Sequence, residues 1–229
     1  MAGLIAALDT ADAAQAAAWA GALAPHCGLV KLGLEFFVAA GPSGVRRVTQ
    51  RPVFLDLKLH DIPNTVAGAV RAVLPLRPRM LTLHAAGGGA MMEAARHAAD
   101  DAPDLDDRPL LLAVTVLTSL DSSALHATGV AGGPRQQVLR LARLALGAGA
   151  DGLVCSAHEA AMLRDALGAG PVLVVPGIRP AGSDPADQAR TMTPREAARA
   201  GADWLVVGRP ITGNANPAAA AAAIAAELA

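Results

Sequence analysis

The chain has no tyrosine, three phenylalanines and two tryptophans. Single-stranded nucleic acid is held largely by bases stacked on aromatic rings, and such platforms have almost nothing to build on here. A basic field is missing too. Nineteen Lys and Arg against twenty Asp and Glu leave a net charge of −1 with no polybasic patch, so no nucleic-acid partner is expected. Cysteine is limited to Cys27 and Cys155, far apart and without a CxxC pair. That excludes a disulfide scaffold or zinc ribbon and suits a reducing compartment. The start, Met1-Ala2-Gly3-Leu4-Ile5, has no basic stretch and soon reaches Asp9, unlike a secretory leader. The alanine-rich stretches are broken by Gly, Pro, Asp or Arg before membrane-spanning length. The expectation is a cytoplasmic protein with no membrane partner.

Lysine is the most telling scarcity. Of the nineteen basic residues only Lys31 and Lys58 are lysine, and all others are arginine. Arginine keeps its charge permanently, whereas an ammonium is a compact charge that can release a proton. Both lysines end short apolar runs, Gly28-Leu29-Val30-Lys31 and Val53-Phe54-Leu55-Asp56-Leu57-Lys58.

What is present is core. Hydrophobic residues make up 53% of 229, enough for one large domain spanning residues 1–229. Eight short runs are apolar on both parities: Leu4–Leu8, Leu29–Leu32, Val53–Leu57, Met80–Leu83, Leu110–Leu117, Gly152–Cys155, Val172–Val175 and Trp204–Val207. Strands buried on both faces of a parallel sheet read this way. Helical stretches alternate with them. Asp12 can cap a helix ending near Leu23, and Pro134 precedes another over Arg135–Leu146. Thr193-Pro194 with Glu196, and Asn216-Pro217 before Ala218–Leu228, mark two further starts. The alternation predicts an α/β fold, a (β/α)8 TIM barrel, in preference to an open doubly wound sheet. Chemistry then belongs at the C-terminal strand ends, where Asp9, Lys31, Asp56, Lys58, His84, Thr118, Ser156, Gly177 and Arg209 fall. Two long segments, Thr118–Pro134 and Gly177–Thr193, can cover that end.

The densest polar string is Asp56-Leu57-Lys58-Leu59-His60-Asp61-Ile62-Pro63-Asn64-Thr65. Residues two apart in a strand share a face, so Asp56 and Lys58 point together into the barrel end. Lys31 and Asp61 complete an alternating Lys–Asp–Lys–Asp set. Charges in a partly buried site need opposite neighbours, and alternation supplies them. A network that only ties strand ends together has no need of lysine in a chain that otherwise uses arginine.

The string from Phe54 through Val66 resembles the signature of the orotidine 5'-phosphate decarboxylase family, which makes UMP in pyrimidine synthesis. Leu4–Asp9, Val30-Lys31-Leu32-Gly33, His84-Ala85-Ala86-Gly87-Gly88, Val116-Leu117-Thr118-Ser119, Pro176-Gly177-Ile178-Arg179 with Asp187-Gln188, and Ala202–Thr212 resemble further segments of that family. The resemblance implies a homodimer with active sites at the subunit interface and no cofactor or metal. It implies Lys58 as proton donor, Asp56 beside the departing carboxylate, and Lys31 holding Asp56 and touching the ribose. Asp9 would bind ribose hydroxyls, and Asp61, Ile62 and Thr65 would reach the neighbouring subunit's site. Thr118 and Pro176 would lie near the base, Gln188 would bridge base and phosphate, and Arg179, Gly208 and Arg209 would hold the phosphate.

Two other functions compete. Mg-dependent sugar-phosphate decarboxylases and aldehyde lyases share Asp-x-Lys-x-x-Asp, but they resemble one another in using a carboxylate near the second strand end, where this chain has Lys31. A non-catalytic nucleotide-phosphate-binding barrel is the second. Other signals carry less. Gly147–Gly152 matches GxGxxG but leads into a strand, opposite to a dinucleotide turn. His158-Glu159 lacks a second histidine at zinc spacing, and Ser156 reads as a helix cap.

Overall fold

Parallel strands follow one another around a closed barrel in chain order. They are β1 (Gly3–Ala7), β2 (Leu29–Gly33), β3 (Val53–Leu59), β4 (Met80–His84), β5 (Leu110–Val114), β6 (Gly152–Val154), β7 (Val172–Val175) and β8 (Trp204–Val207), with β8 pairing back onto β1. The structure is a computed structural model, and it describes residues 2–180 and 192–228. Outside the strands lie α1 (Ala13–Leu23), α2 (Leu34–Val48), α3 (Pro63–Val73), α4 (Gly89–Ala99), α5 (Ser122–Ala127), α6 (Pro134–Gly147), α7 (Ala157–Leu167), α8 (Pro194–Arg199), α9 (Arg209–Thr212) and α10 (Pro217–Ala226). The expected (β/α)8 barrel is therefore the fold. The short α5 and α9 are additions to the eight-helix pattern, in the segments after β5 and β8. Among the described residues no helix is long and apolar enough to cross a membrane.

The expected helix starts form as capping chemistry dictates. The Asp12 carboxylate accepts from Ala14 N–H at 2.8 Å, and Asn216 Oδ1 accepts from Ala219 N–H at 3.0 Å. Thr193 and Glu196 form a reciprocal capping box ahead of Pro194. Each satisfies N–H groups that the first helical turn leaves unpaired. Ser156 stands at the start of α7, where its N–H donates to the Glu159 carboxylate at 2.8 Å, but its hydroxyl makes no capping bond among the described residues.

Pleat parity divides the core. Ile5, Ala7, Leu29, Phe54, Met80, Leu112, Val174 and Val206 pack inside the barrel. The opposite parity, Leu4, Ala6, Leu32, Leu55, Leu81, Leu83, Leu111, Leu153, Leu173 and Leu205 among them, packs against the helices. Trp204 plugs the N-terminal end, and Gly3 and Gly28 make room for it: a Cβ at Gly28 would sit 2.8 Å from its ring. Climbing the inward parity, apolar layers give way to Asp9, Lys31, Asp56, Thr82 and His84 at the C-terminal end.

Strand five stops earlier than expected. Its ladder partner β6 ends at Val154, because the chain then turns into α7, so the run past Val114 has little to pair with. Thr115 N–H still reaches the Val154 carbonyl at 3.4 Å, and Leu120 N–H already folds back on Leu117. Before β6 and β8 the same Gly-Ala-Asp step recurs. Gly149 and Gly201 take positive φ of 88° and 99°, and each following aspartate accepts a strand N–H: Asp151 from Leu111 at 2.8 Å, Asp203 from Leu173 at 2.7 Å. Arg96 and Arg108 pair with Asp151, and Arg164 with Asp203. The GxGxxG match is thus half of a repeated strand-start device, away from the polar end of the barrel.

Candidate active site

Three adjacent strand ends bring charges into one row. Lys31 Nζ lies 3.1 Å from Asp9 Oδ1 and 3.5 Å from Asp56 Oδ2. Lys58 Nζ lies 2.8 Å from both Asp56 oxygens. Lys31 is 8% exposed, so its desolvation is tolerable only because carboxylates flank it. For Asp56, burial opposes ionisation. The Lys31 and Lys58 ammoniums, together with hydrogen bonds from Lys58 and Thr82, outweigh it and hold the carboxyl below its usual range.

Lys58 does not sit in a regular strand. Its φ is +50°, and the β3–β4 register shifts between Leu55 and Leu59. A bulge of this kind takes a residue out of the ladder and re-aims its side chain. Simple alternation therefore gives the right pairing with Asp56 for an incomplete reason. The N–H that the bulge removes from the ladder donates to Thr82 Oγ1 at 2.8 Å, and the Thr82 hydroxyl donates to Asp56 Oδ1 at 2.9 Å.

Asp61 corrects the expected set. It is exposed and joins no ion pair among the described residues; its Oδ1 accepts the adjacent Ile62 N–H at 2.6 Å. Beyond Leu59 the chain leaves the barrel to start α3, which carries Asp61 away from the row. Within one chain the alternation is Asp9–Lys31–Asp56–Lys58.

Lys31, Asp56 and Lys58 of the row form one wall of a cavity of about 190 Å³ that is otherwise largely apolar, including Phe54, Val114, Val154, Val174 and Val206. Thr118 and Pro176 also line it. Gly208 stands beside Asp9, where a Cβ would come 3.3 Å from Oδ2. Arg179 is buried and donates from Nη1 to the Ile178 carbonyl at 3.1 Å, while Arg209 is exposed at the start of α9. Ile62 is 67% exposed and Thr65 is also exposed. Gln188 lies outside the described residues. Two larger depressions, of about 710 and 370 Å³, open at the N-terminal end of the barrel, away from this row. Among the described residues no three His, Cys, Asp or Glu side chains converge as a metal-binding group.

A family model described as orotidine 5'-phosphate decarboxylase / HUMPS family matches residues 3–224. The chain belongs to that family. It is 58% identical over 228 residues to orotidine 5'-phosphate decarboxylase of Gluconobacter oxydans, covering 99% of this chain and 97% of that one. It is 57% identical to the orotidine 5'-phosphate decarboxylase of Anaeromyxobacter sp. strain K, covering 98% and 97%. The crystal structure of orotidine 5'-phosphate decarboxylase from Lactobacillus acidophilus matches with a TM-score of 0.89 at 38% identity, over 100% of this chain and 99% of that one.

Two side chains at this family site carry more than the sequence suggested. Thr82 is fully buried between Lys58 and Asp56, yet it reads as one residue of an apolar strand. The available signal was a hydroxyl on the inward parity, two positions before His84. The His84 ring centroid lies 5.4 Å from that of His60. Burial, then the neighbouring His60 and Lys58, push its pKa below the ordinary histidine value, against a smaller opposing pull from Asp56.

Proposed function

We propose that this chain decarboxylates orotidine 5'-phosphate to UMP in pyrimidine biosynthesis, as a homodimer and without a cofactor. The observation that carries the reading is the Asp9–Lys31–Asp56–Lys58 row, whose last three members face an apolar cavity wall. In this reading the bond from C6 to the carboxylate breaks, CO2 leaves, and the electron pair stays on C6. The Lys58 ammonium faces that pair and transfers one proton from Nζ to C6, and solvent then reprotonates the amine. The ring offers no electron sink for a carbanion at C6, so a fixed charge aimed at it is the strongest tool available. Asp56 stands beside the departing carboxylate, and Lys31 orients Asp56 and reaches the ribose, whose hydroxyls Asp9 binds. Thr118 and Pro176 contact the base. Gln188 bridges base and phosphate, and Arg179, Gly208 and Arg209 hold the phosphate, a group commonly bound by the loops after strands seven and eight of this barrel.

The dimer reading rests on exposure. Asp61, Ile62 and Thr65 face solvent beside the barrel end, and Leu34 and Val38 of the neighbouring βα unit are exposed apolar residues at 58% and 77%. A second subunit covering them brings Asp61 to the other chain's Lys58. Unpaired buried thiols at Cys27 and Cys155 suit work in the reducing cytoplasm.

The Mg-dependent alternative meets a physical obstacle. A divalent ion bound between Asp9 and Asp56 needs the position that the Lys31 ammonium occupies. Incubation of purified protein with orotidine 5'-phosphate, following CO2 release and the ultraviolet change, tests both readings. Turnover unaffected by EDTA is expected. No conversion refutes the proposal, and turnover abolished by chelation transfers it to the metal-dependent class. Mixing Asp61→Ala and Lys58→Ala proteins should restore part of the activity, since one of the two hybrid sites is intact; no recovery despite subunit exchange refutes the shared site.

A further inference from the structure

We infer that Thr82 is a positioning residue for decarboxylation, acting through Lys58 and Asp56 without touching the substrate. The inference rests on the roles given above to those two residues. Lys58 occupies the left-handed region, which non-glycine residues rarely adopt and which persists only where the surroundings enforce it. The β3–β4 bulge leaves its N–H without a ladder acceptor, and a buried N–H without a partner is strongly disfavoured. Thr82 Oγ1 provides that acceptor at 2.8 Å.

The same hydroxyl hydrogen donates to Asp56 Oδ1 at 2.9 Å. An ionised carboxylate has no hydrogen to give, so the direction of each bond is settled: the hydroxyl accepts from the Lys58 backbone and donates to Asp56. One buried oxygen thereby links the backbone of the ammonium-bearing residue to the carboxylate that anchors the same ammonium at 2.8 Å. Thr82 is 0% exposed and does not line the cavity, so water does not readily replace it and substrate does not reach it. Its methyl group restricts the side-chain rotation that would swing the hydroxyl away.

The test compares Thr82→Val, which keeps the shape and removes the hydroxyl, with Thr82→Ser, which keeps the hydroxyl. Lys58→Ala serves as reference. Misplacing a reacting group by about an ångström costs on the order of 100-fold, so Thr82→Val should lose about 10- to 100-fold in kcat with KM and UMP affinity within about threefold of the parent. Thr82→Ser should stay within about threefold of parental kcat on the same scale. Equal impairment of Ser and Val, parental kcat in Thr82→Val, or a loss confined to KM overturns the inference. Should Thr82→Val fail to fold, Thr82→Cys carries the test, because a thiol donates and accepts only weakly. It should then fall below Thr82→Ser in kcat, and parity between the two overturns the inference. An inactive Lys58→Ala beside a fully active Thr82→Val sinks the positioning role alone, whereas a fully active Lys58→Ala sinks the underlying reading.

Discussion

Replacing Lys58 by arginine separates charge from proton. Lys58 Nζ sits 2.8 Å from both Asp56 oxygens. Two unit charges at that distance attract by about 6 kcal/mol at an effective dielectric of about 20, and by about 1.5 kcal/mol in water. The lysine side chain is 38% exposed, so screening places the value between these limits. A carbanion at C6 held at similar range gains a comparable amount. At about 1.4 kcal/mol per decade, that is one to four decades of rate. Arginine retains much of this attraction but has no proton to transfer at neutral pH, and general-acid transfer contributes roughly 10²- to 10⁴-fold. Lys58→Arg should therefore lose at least about 100-fold in kcat, and Lys58→Met, which also removes the charge, should fall further. The assay is ultraviolet loss of orotidine 5'-phosphate in purified protein, with UMP binding by calorimetry as a control for an intact site. Near-parental turnover by Lys58→Arg refutes proton donation by Lys58, and equal loss in Arg and Met refutes the electrostatic part.

Three further outcomes follow from the geometry. At the +50° φ of Lys58 glycine is at ease and alanine is not, so Lys58→Gly should be more stable than Lys58→Ala by about 1 kcal/mol in urea unfolding, the reverse of the usual order; the ordinary order rules out backbone strain there. Because Asp56 is held below its ordinary pKa of 3.8, its unfolded form binds protons first as pH falls. Its stabilisation is complete above that value and drains away below it, so the stability gap between parent and Asp56→Asn should stay constant above about pH 5 and narrow in more acidic solution. A gap that widens on acidification contradicts the sign. Burial pushes the Cys27 thiol up to about 11 and raises Cys155 as well, so native protein should react with a disulfide reagent far more slowly than unfolded protein; two rapidly titrating thiols in the native state would contradict the burial.

Much of this molecule was legible residue by residue. The eight apolar runs, the capping residues Asp12, Thr193 and Asn216, and the two lysines among arginines all express local chemistry, which needs no knowledge of distant segments. Lys31, Asp56 and Lys58 could be grouped because strand ends in a barrel share one face. Other features depend on partners far along the chain. Where β5 stops is set by where β6 runs out. Asp61 leaves the charged row because α3 begins there, and Asp9 joins it because β1 and β2 are neighbours around the closed sheet. The bulge at Lys58 is invisible in its own strand, because the acceptor for its N–H comes from Thr82, twenty-four positions onward. Composition and periodicity specify which residues face inward; only closure of the barrel decides which inward groups meet, since hydrogen bonds and ion pairs act over a few ångströms of space whatever the separation in sequence.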